Sequence, residues 1–247
     1  MKTIAYITDI HLDEGLLEEY GVDSYKQWAL ILDDVRARGI SEIVFGGDIG
    51  ADSAHEWFFN SVKDFDFKYV LGNHDTFEKT GRYFEGSNAG NNALYYTSED
   101  DEFKTIFLDT STEQMDDAQF NWLKSQLNTD KPVLIFIHHS IFGVATPIDS
   151  VYPLHGRERI AGRLQQSGKQ VTIFCGHYHM EDAQQTGKIS QYVTPASSYQ
   201  ITKHASAIEP NNSTFGYRLI TVAGGKIETV LLMYRNGSFV MKQEKFD

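Results

Sequence analysis

Residues 3–11 read Thr3-Ile4-Ala5-Tyr6-Ile7-Thr8-Asp9-Ile10-His11, and their interpretation decides the fold. Thr3–Thr8 is an uncharged run rich in β-branched residues, the composition of a buried strand. It ends on Asp9 and His11, whose spacing of two puts both side chains on one side of an extended segment. The same arrangement recurs along the chain. The run Ile40–Phe45 leads into Gly47-Asp48, Phe67–Leu71 into Gly72-Asn73-His74-Asp75, Val133–Ile137 into His138-His139, and Gln170–Cys175 into Gly176-His177-Tyr178-His179. Loops at the carboxyl ends of strands in an open α/β sheet converge on one crevice, so separated segments can deliver polar groups to one place.

Helical patterns alternate with the early strands. Ser24 and Gln27 have capping-box spacing, Tyr25, Trp28, Leu32 and Val35 make one face, and Gly39 stands where a helix ends. A helix is expected over Ala54–Val62, so the order β-α-β-α-β predicts parallel pairing with right-handed crossovers. Beyond a Gly/Asn-rich loop at Gly86–Asn92, Lys104–Leu108 reads as a strand. Asp116 and Gln119 are placed to cap a helix presenting Phe120, Leu123 and Leu127. Near the C-terminus, Tyr217–Val222 and Lys226–Tyr234 flank Gly224-Gly225, the signature of an antiparallel hairpin. With no Pro/Ser linker, low-complexity tract or repeat, one domain over residues 1–247 with two sheets is the simplest account.

Composition narrows the function. The chain of 247 residues is 41% hydrophobic and 13% aromatic with only 5 Pro, which excludes disorder and supports a sizeable core. Lys and Arg number 22 against 34 Asp and Glu, a net charge of −12, which disfavours nucleic acid polymers and anionic membranes as partners. An anionic substrate therefore needs a local source of positive charge. Cys175 is the single cysteine, at the end of an apolar strand, and reads as a buried, inert thiol. The N-terminal apolar run meets Asp9 too early for a secretory signal and no long apolar stretch follows, so a cytoplasmic location is expected.

Imidazoles, carboxylates and an amide oxygen, without thiolate, are ligands for Mn, Fe, Zn, Co or Ni. Seven such groups exceed one tetrahedral ion and suit two divalent metal ions sharing a carboxylate. The ordered blocks Asp9-x-His11, Gly47-Asp48, Gly72-Asn73-His74-Asp75, His138-His139 and Gly176-His177-x-His179 resemble the calcineurin-like metallophosphoesterase superfamily. Within it the pattern is similar to the branch holding cyclic-nucleotide and glycerophosphodiester phosphodiesterases. The resemblance implies an α/β fold, a two-sheet mixed β-sandwich flanked by helices in four layers (α/β/β/α). It also implies that Asp9, His11 and His179 hold one metal, that Asp48 bridges, and that Asn73, His138 and His177 complete the ligand set of the second metal. His74 matches the residue that assists the phosphoryl oxygen or the leaving group.

The reaction implied is hydrolysis of a small phosphodiester by metal-bound hydroxide, with two cations outweighing two carboxylates to make the site locally positive. A phosphomonoesterase or pyrophosphohydrolase on nucleotides or phosphosugars is the alternative enzyme. A catalytically silent scaffold of the same fold is the non-enzymatic one, and the intact ligand set argues against it.

Four further residues are candidates to support the ligands or to touch substrate. Many members of the family carry a second Asp three residues after the bridging one, where it orients the catalytic His; here that position is Ala51, and the next acid is Asp52. Either Asp52 takes over or His74 lacks that partner. Asp75 is expected to orient a neighbouring ligand. His139 is a pocket-lining candidate, and Arg157, at the start of an expected helix, is the one arginine there considered for phosphate. His55, Trp57 and Phe58 read as packing and surface. Phe142–Tyr152 and Tyr199–Phe215 are the segments expected to wall the pocket.

Overall fold

The computed structural model describes residues 1–83 and 92–244. The Gly86–Asn92 loop expected from sequence lies outside the described residues as far as residue 91. Along the chain run β1 (Lys2–Ile7), α1 (Gly15–Glu19), α2 (Ser24–Ala37), β2 (Glu42–Phe45), α3 (His55–Ser61), β3 (Asp66–Tyr69) and α4 (Phe77–Thr80). Next come β4 (Tyr96–Glu99), β5 (Lys104–Phe107), α5 (Asp117–Gln126), β6 (Val133–Phe136), α6 (Pro147–Val151), α7 (Arg157–Ser167) and β7 (Val171–Cys175). The rest comprises β8 (Asp182–Thr186), β9 (Ile189–Val193), β10 (Gln200–Ile201), β11 (Pro210–Asn211), β12 (Gly216–Ala223), β13 (Lys226–Arg235) and β14 (Ser238–Lys242).

Two six-stranded sheets result, ordered β14-β13-β12-β1-β2-β3 and β4-β5-β6-β7-β9-β8. In the first, β1, β2 and β3 are parallel as the βαβ order requires, and β12 joins β1 antiparallel. In the second, β5, β6, β7 and β9 are parallel. The Gly224-Gly225 turn closes the β12–β13 hairpin, with Ala223 opposite Lys226 and φ of +57° and +72° at the two glycines.

Strand alternation builds the layers. Leu134 and Phe136 of β6 face the core shared with the first sheet, whereas Val133 and Ile135 pack beneath α5 and α7 with Leu123, Ile160 and Leu164. On the far side α2 buries Trp28, Ile31, Leu32 and Val35, with Trp28 edge-on to Phe45 at 5.8 Å. This is the four-layer sandwich implied by the resemblance. Between the sheets a ladder of rings, Tyr96, Phe107, Phe136, Phe174 and Tyr192, crosses five strands with successive centroids 4.3, 5.4, 5.5 and 5.5 Å apart. Tyr6 of β1 meets this ladder from the opposite sheet, 5.3 Å from Phe136.

Two local expectations change. Asp23, not Ser24, caps α2: its carboxylate accepts from Lys26 N at 3.0 Å, a better match to the positive helix end than a hydroxyl. The helix expected over Ala54–Val62 begins earlier, as a 3₁₀ turn over Asp52–Ala54 that runs into α3. The edge strands β4 and β8 are short and largely polar, so they carry little hydrophobic periodicity to read. Among the described residues no helix is long and apolar enough to cross a membrane.

Candidate metal centre

The loops after β1, β2 and β3 of one sheet and after β6 and β7 of the other meet at a shared rim. There the backbone departs from ordinary conformations. Asp9, His11, Asp48, His177 and His179 have φ of +58°, +52°, +61°, +69° and +50°, the left-handed region that residues with a Cβ avoid. Each such residue costs about 1–3 kcal/mol, and such strain persists where surrounding contacts over-determine it, characteristically at functional sites. Two glycines make the convergence possible. A Cβ on Gly72 would stand 2.0 Å from Asp48 Oδ1, and one on Gly176 would stand 2.4 Å from Asp9 Oδ2.

The side chains close in from these loops. Asp48 Oδ2 lies 3.3 Å from His138 Nε2 and 3.7 Å from His11 Nε2, between the two histidines. Asp9 Oδ1 lies 3.4 Å from His179 Nε2, and both Asp9 oxygens accept from His177 N at 3.2 Å. Thr8 Oγ1 donates to Asp9 Oδ2 at 2.7 Å and His74 N donates to Asp48 Oδ1 at 2.9 Å, so each carboxylate is aimed by donors. Asp9, His11 and His179 form one group able to hold a metal ion, and Asp9, Asp48 and His138 another.

Each histidine of the set has one nitrogen tied to an acceptor outside the crevice. His138 Nδ1 donates to the Gly46 carbonyl at 2.8 Å, His179 Nδ1 to the Tyr199 carbonyl at 3.1 Å, His177 Nε2 to the Tyr152 carbonyl at 3.0 Å and His11 Nδ1 to Glu14 Oε2 at 3.0 Å. This turns the other nitrogen of each ring inward, with the outer support that metal-binding imidazoles require. His11 Nε2 and His179 Nε2 then face each other at 3.0 Å beside Asp9, close enough to share a proton or a cation. His138 Nε2 and Asn73 Oδ1 are buried without a hydrogen-bond partner. The donor set fits divalent cations.

Among the side chains alone, charge is held by proximity. Burial pushes His138 down, but Asp48 and Asp9 outweigh it and hold the ring at about 9. The Glu14 hydrogen bond, opposed by burial, raises His74 to about 9. Burial disfavours the Glu14 carboxylate, yet bonds to His11 and His74 hold it at about 2. Burial, reinforced by His138, lowers His177 to about 4.

The second-rank residues fall in distinct places. Asp75 is buried and accepts from Asp48 N, Ile49 N and Gly72 N at 2.7, 3.0 and 2.9 Å, tying the second and third loops together. Burial and the nearby Asp48 push its carboxyl up to about 7. His139 is fully buried, bonds Thr110 Oγ1 through Nδ1 at 2.9 Å, and lies 4.2 Å from the His177 ring, tilted 45° to it. Asp52 does not serve His74: its side chain is 60% exposed and pairs with Lys79 at 2.9 Å, because the 3₁₀ turn carries it outward. Arg157 pairs with Asp149, which also accepts from Tyr178, so this guanidinium is already neutralised. Cys175 is buried and its thiol pushed up to about 12, an inert group as expected. His55 is buried against the Gly50 carbonyl, and Trp57 is at the surface.

Three participants were not singled out as residues, although Tyr152 and Tyr199 lie at the ends of the two segments expected to wall the pocket. Glu14 places Oε1 2.9 Å from His74 Nδ1 while Oε2 holds His11; its only trace was an acid three residues after His11. Tyr199 and Tyr152 act through main-chain carbonyls, which every residue has. The Tyr199 ring also packs 4.5 Å from His179 and 5.0 Å from Tyr20 at the rim.

The family model for calcineurin-like phosphoesterases matches residues 2–181, a span that contains the whole cluster from Asp9 to His179. The chain belongs to this family. The phosphoesterase is thus a metal-dependent hydrolase acting on phosphoesters. It is 30% identical over 217 residues to a probable glycerophosphodiester phosphodiesterase of Arcobacter nitrofigilis, covering 80% of this chain and 79% of that one. It is 25% identical over 234 residues to a probable cyclic nucleotide phosphodiesterase of a Pseudoalteromonas species, covering 88% and 86%. A dimetal phosphatase from Danio rerio shares the fold with a TM-score of 0.64 and 13% identity, over 97% of this chain and 98% of that one. The vacuolar protein sorting 29 of Chaetomium thermophilum shares it at 0.52 and 11%, over 98% and 96%. At such identities the likeness is one of fold.

Proposed function

We propose that the phosphoesterase is a single-domain, cytoplasmic enzyme that holds two divalent metal ions and hydrolyses small phosphodiesters of the cyclic-nucleotide or glycerophosphodiester type. Asp9, His11 and His179 would hold one ion, Asn73, His138 and His177 the other, with Asp48 shared. The observation that carries this reading is the inward-facing pair His11 Nε2 and His179 Nε2, 3.0 Å apart beside Asp9, with their outer nitrogens already engaged. Such ions supply Lewis-acid activation of water and neutralise charge on the phosphoryl oxygens. The chain's own residues then do the rest. Asp75 and the backbone amides around it keep Asp48 aimed into the crevice. His74, with a side chain 43% exposed and held protonated at neutral pH by Glu14, stands at the open side, where it donates a proton to the leaving alkoxide.

A diester is favoured over a monoester because Arg157, the cation considered for an additional anionic oxygen, is neutralised by Asp149. The two curated relatives carry diesterase names, which supports the same choice. The net charge of −12 argues for a small anion over a nucleic acid polymer.

The test is turnover of bis-aryl and mono-aryl phosphates by metal-reconstituted protein, with and without chelator. Chelator-sensitive hydrolysis is expected, faster on the diester; a folded, metal-loaded protein inert on both refutes the enzyme reading. His74→Ala should retain both metals and lose about 10²–10⁴-fold in turnover of an alkyl diester.

A further inference from the structure

Glu14 occupies the N-cap position of α1, yet its side chain makes no capping bond to the helix. A capping side chain at that position accepts from the first helical amides. Here both oxygens turn away from α1, Oε1 to His74 Nδ1 at 2.9 Å and Oε2 to His11 Nδ1 at 3.0 Å. The Glu14 side chain is 19% exposed, so both bonds are sheltered. The turn that delivers it is tightly held: Glu14 N donates to the His11 carbonyl at 3.3 Å, and Leu12 pairs with Gly50. The two rings it joins pack edge to face, 4.8 Å between centroids and 87° between planes.

We propose that Glu14 is the positioning residue of the proton donor, a clamp that locks His74 against His11 and does the work that Asp52 is placed too far outward to do. This rests on the reading of His74 as the acid. The chemistry demands a carboxylate. Two imidazole N–H groups pointing at one side chain need two acceptor oxygens, and a glutamine supplies one acceptor and one competing donor. Asp52 is meanwhile bound to Lys79 on the exposed turn. By this arrangement the orienting acid belongs to the first loop, the one that also carries Asp9 and His11, so proton donor and metal ligand are aligned by the same side chain.

The experiment uses metal-saturated enzyme and methyl aryl phosphates whose leaving group runs from 4-nitrophenol, which departs without a proton, to phenol, which benefits from one. Glu14→Gln should lower kcat on the phenyl ester by about 10–100-fold, the usual effect of losing such a supporting partner. At metal saturation kcat on the nitrophenyl ester should fall less, by only the part of the loss that comes through His11, which Glu14 Oε2 also holds. In a His74→Ala background the same substitution should slow the phenyl and nitrophenyl esters alike, by the smaller His11 part alone. Glu14→Asp, which keeps the charge, should restore part of the loss. Equal slowing of both esters, or an undiminished effect in the His74→Ala background, overturns the proposal and assigns Glu14 to His11 alone. If His74→Ala slows the phenyl ester and Glu14→Gln does not, Glu14 is not the clamp and the acid assignment stands. If His74→Ala itself leaves the phenyl ester unchanged, the acid assignment fails and the clamp falls with it.

Discussion

Removing metal from the phosphoesterase should reverse the way its stability responds to pH. His138 is fully buried with Asp48 Oδ2 at 3.3 Å and Asp9 Oδ1 at 3.9 Å, and these carboxylates hold its ring at about 9. An unfolded histidine titrates near 6.5, so the folded value is raised by roughly 2.5, equivalent to roughly 3 kcal/mol. The sign follows from which state binds the proton more tightly. Because the folded chain does, the contribution is fully present below pH ~6.5 and is lost as pH rises through about 9. At this chain length, 1 kcal/mol moves Tm by about 2–4 °C, so chelator-treated protein should lose about 6–12 °C from this group across that interval. Metal-loaded protein should behave oppositely, because a cation competes with the proton for His138 Nε2 and binds more tightly as pH rises. The assay is thermal unfolding from pH 6 to 10, with EDTA or with excess Mn²⁺, for the native chain and His138→Gln. The difference between the two chains isolates this group from other titrations. A chelator-treated native chain whose Tm tracks that of His138→Gln at every pH would refute the reasoning.

Two further outcomes follow from packing. Gly72→Ala would place a methyl 2.0 Å from Asp48 Oδ1 and 2.6 Å from Asp48 N. It should cost about 1–3 kcal/mol and displace the carboxylate, so elemental analysis should find metal lost while circular dichroism stays native; full metal content would contradict it. Phe136→Ala removes the central ring of the inter-sheet ladder and should cost about 3–5 kcal/mol. Chemical denaturation would show this as a lower midpoint, and an unshifted midpoint would contradict it.

Much of the centre was legible because strand ends are local features. A buried apolar run stops where polar side chains begin, so Thr3–Thr8 and the later runs locate Asp9, Asp48, Asn73, His138 and His177 before any contact is known. The helix caps at Asp116 and the Gly224-Gly225 turn were equally readable, since each depends on residues within one turn of chain. What escaped were interactions set by direction in space. Asp52 and Glu14 are both acids close along the chain to the centre; the outward 3₁₀ turn removes the first, and the turn after His11 delivers the second. Arg157 stood at the helix start as expected, but its pairing with Asp149 depends on how the loop before α7 folds back.

Side-chain chemistry and the periodicity of burial, both encoded residue by residue, sufficed for the α/β sandwich, the donor types and their order. Which carboxylate meets His74, which carbonyls hold the outer nitrogens of His138, His177 and His179, and which backbones turn left-handed depended on the packed whole. The reason is physical: a hydrogen bond is fixed by distances of about 3 Å between groups far apart in the chain. Only the closure of two sheets onto one another brings such groups that close.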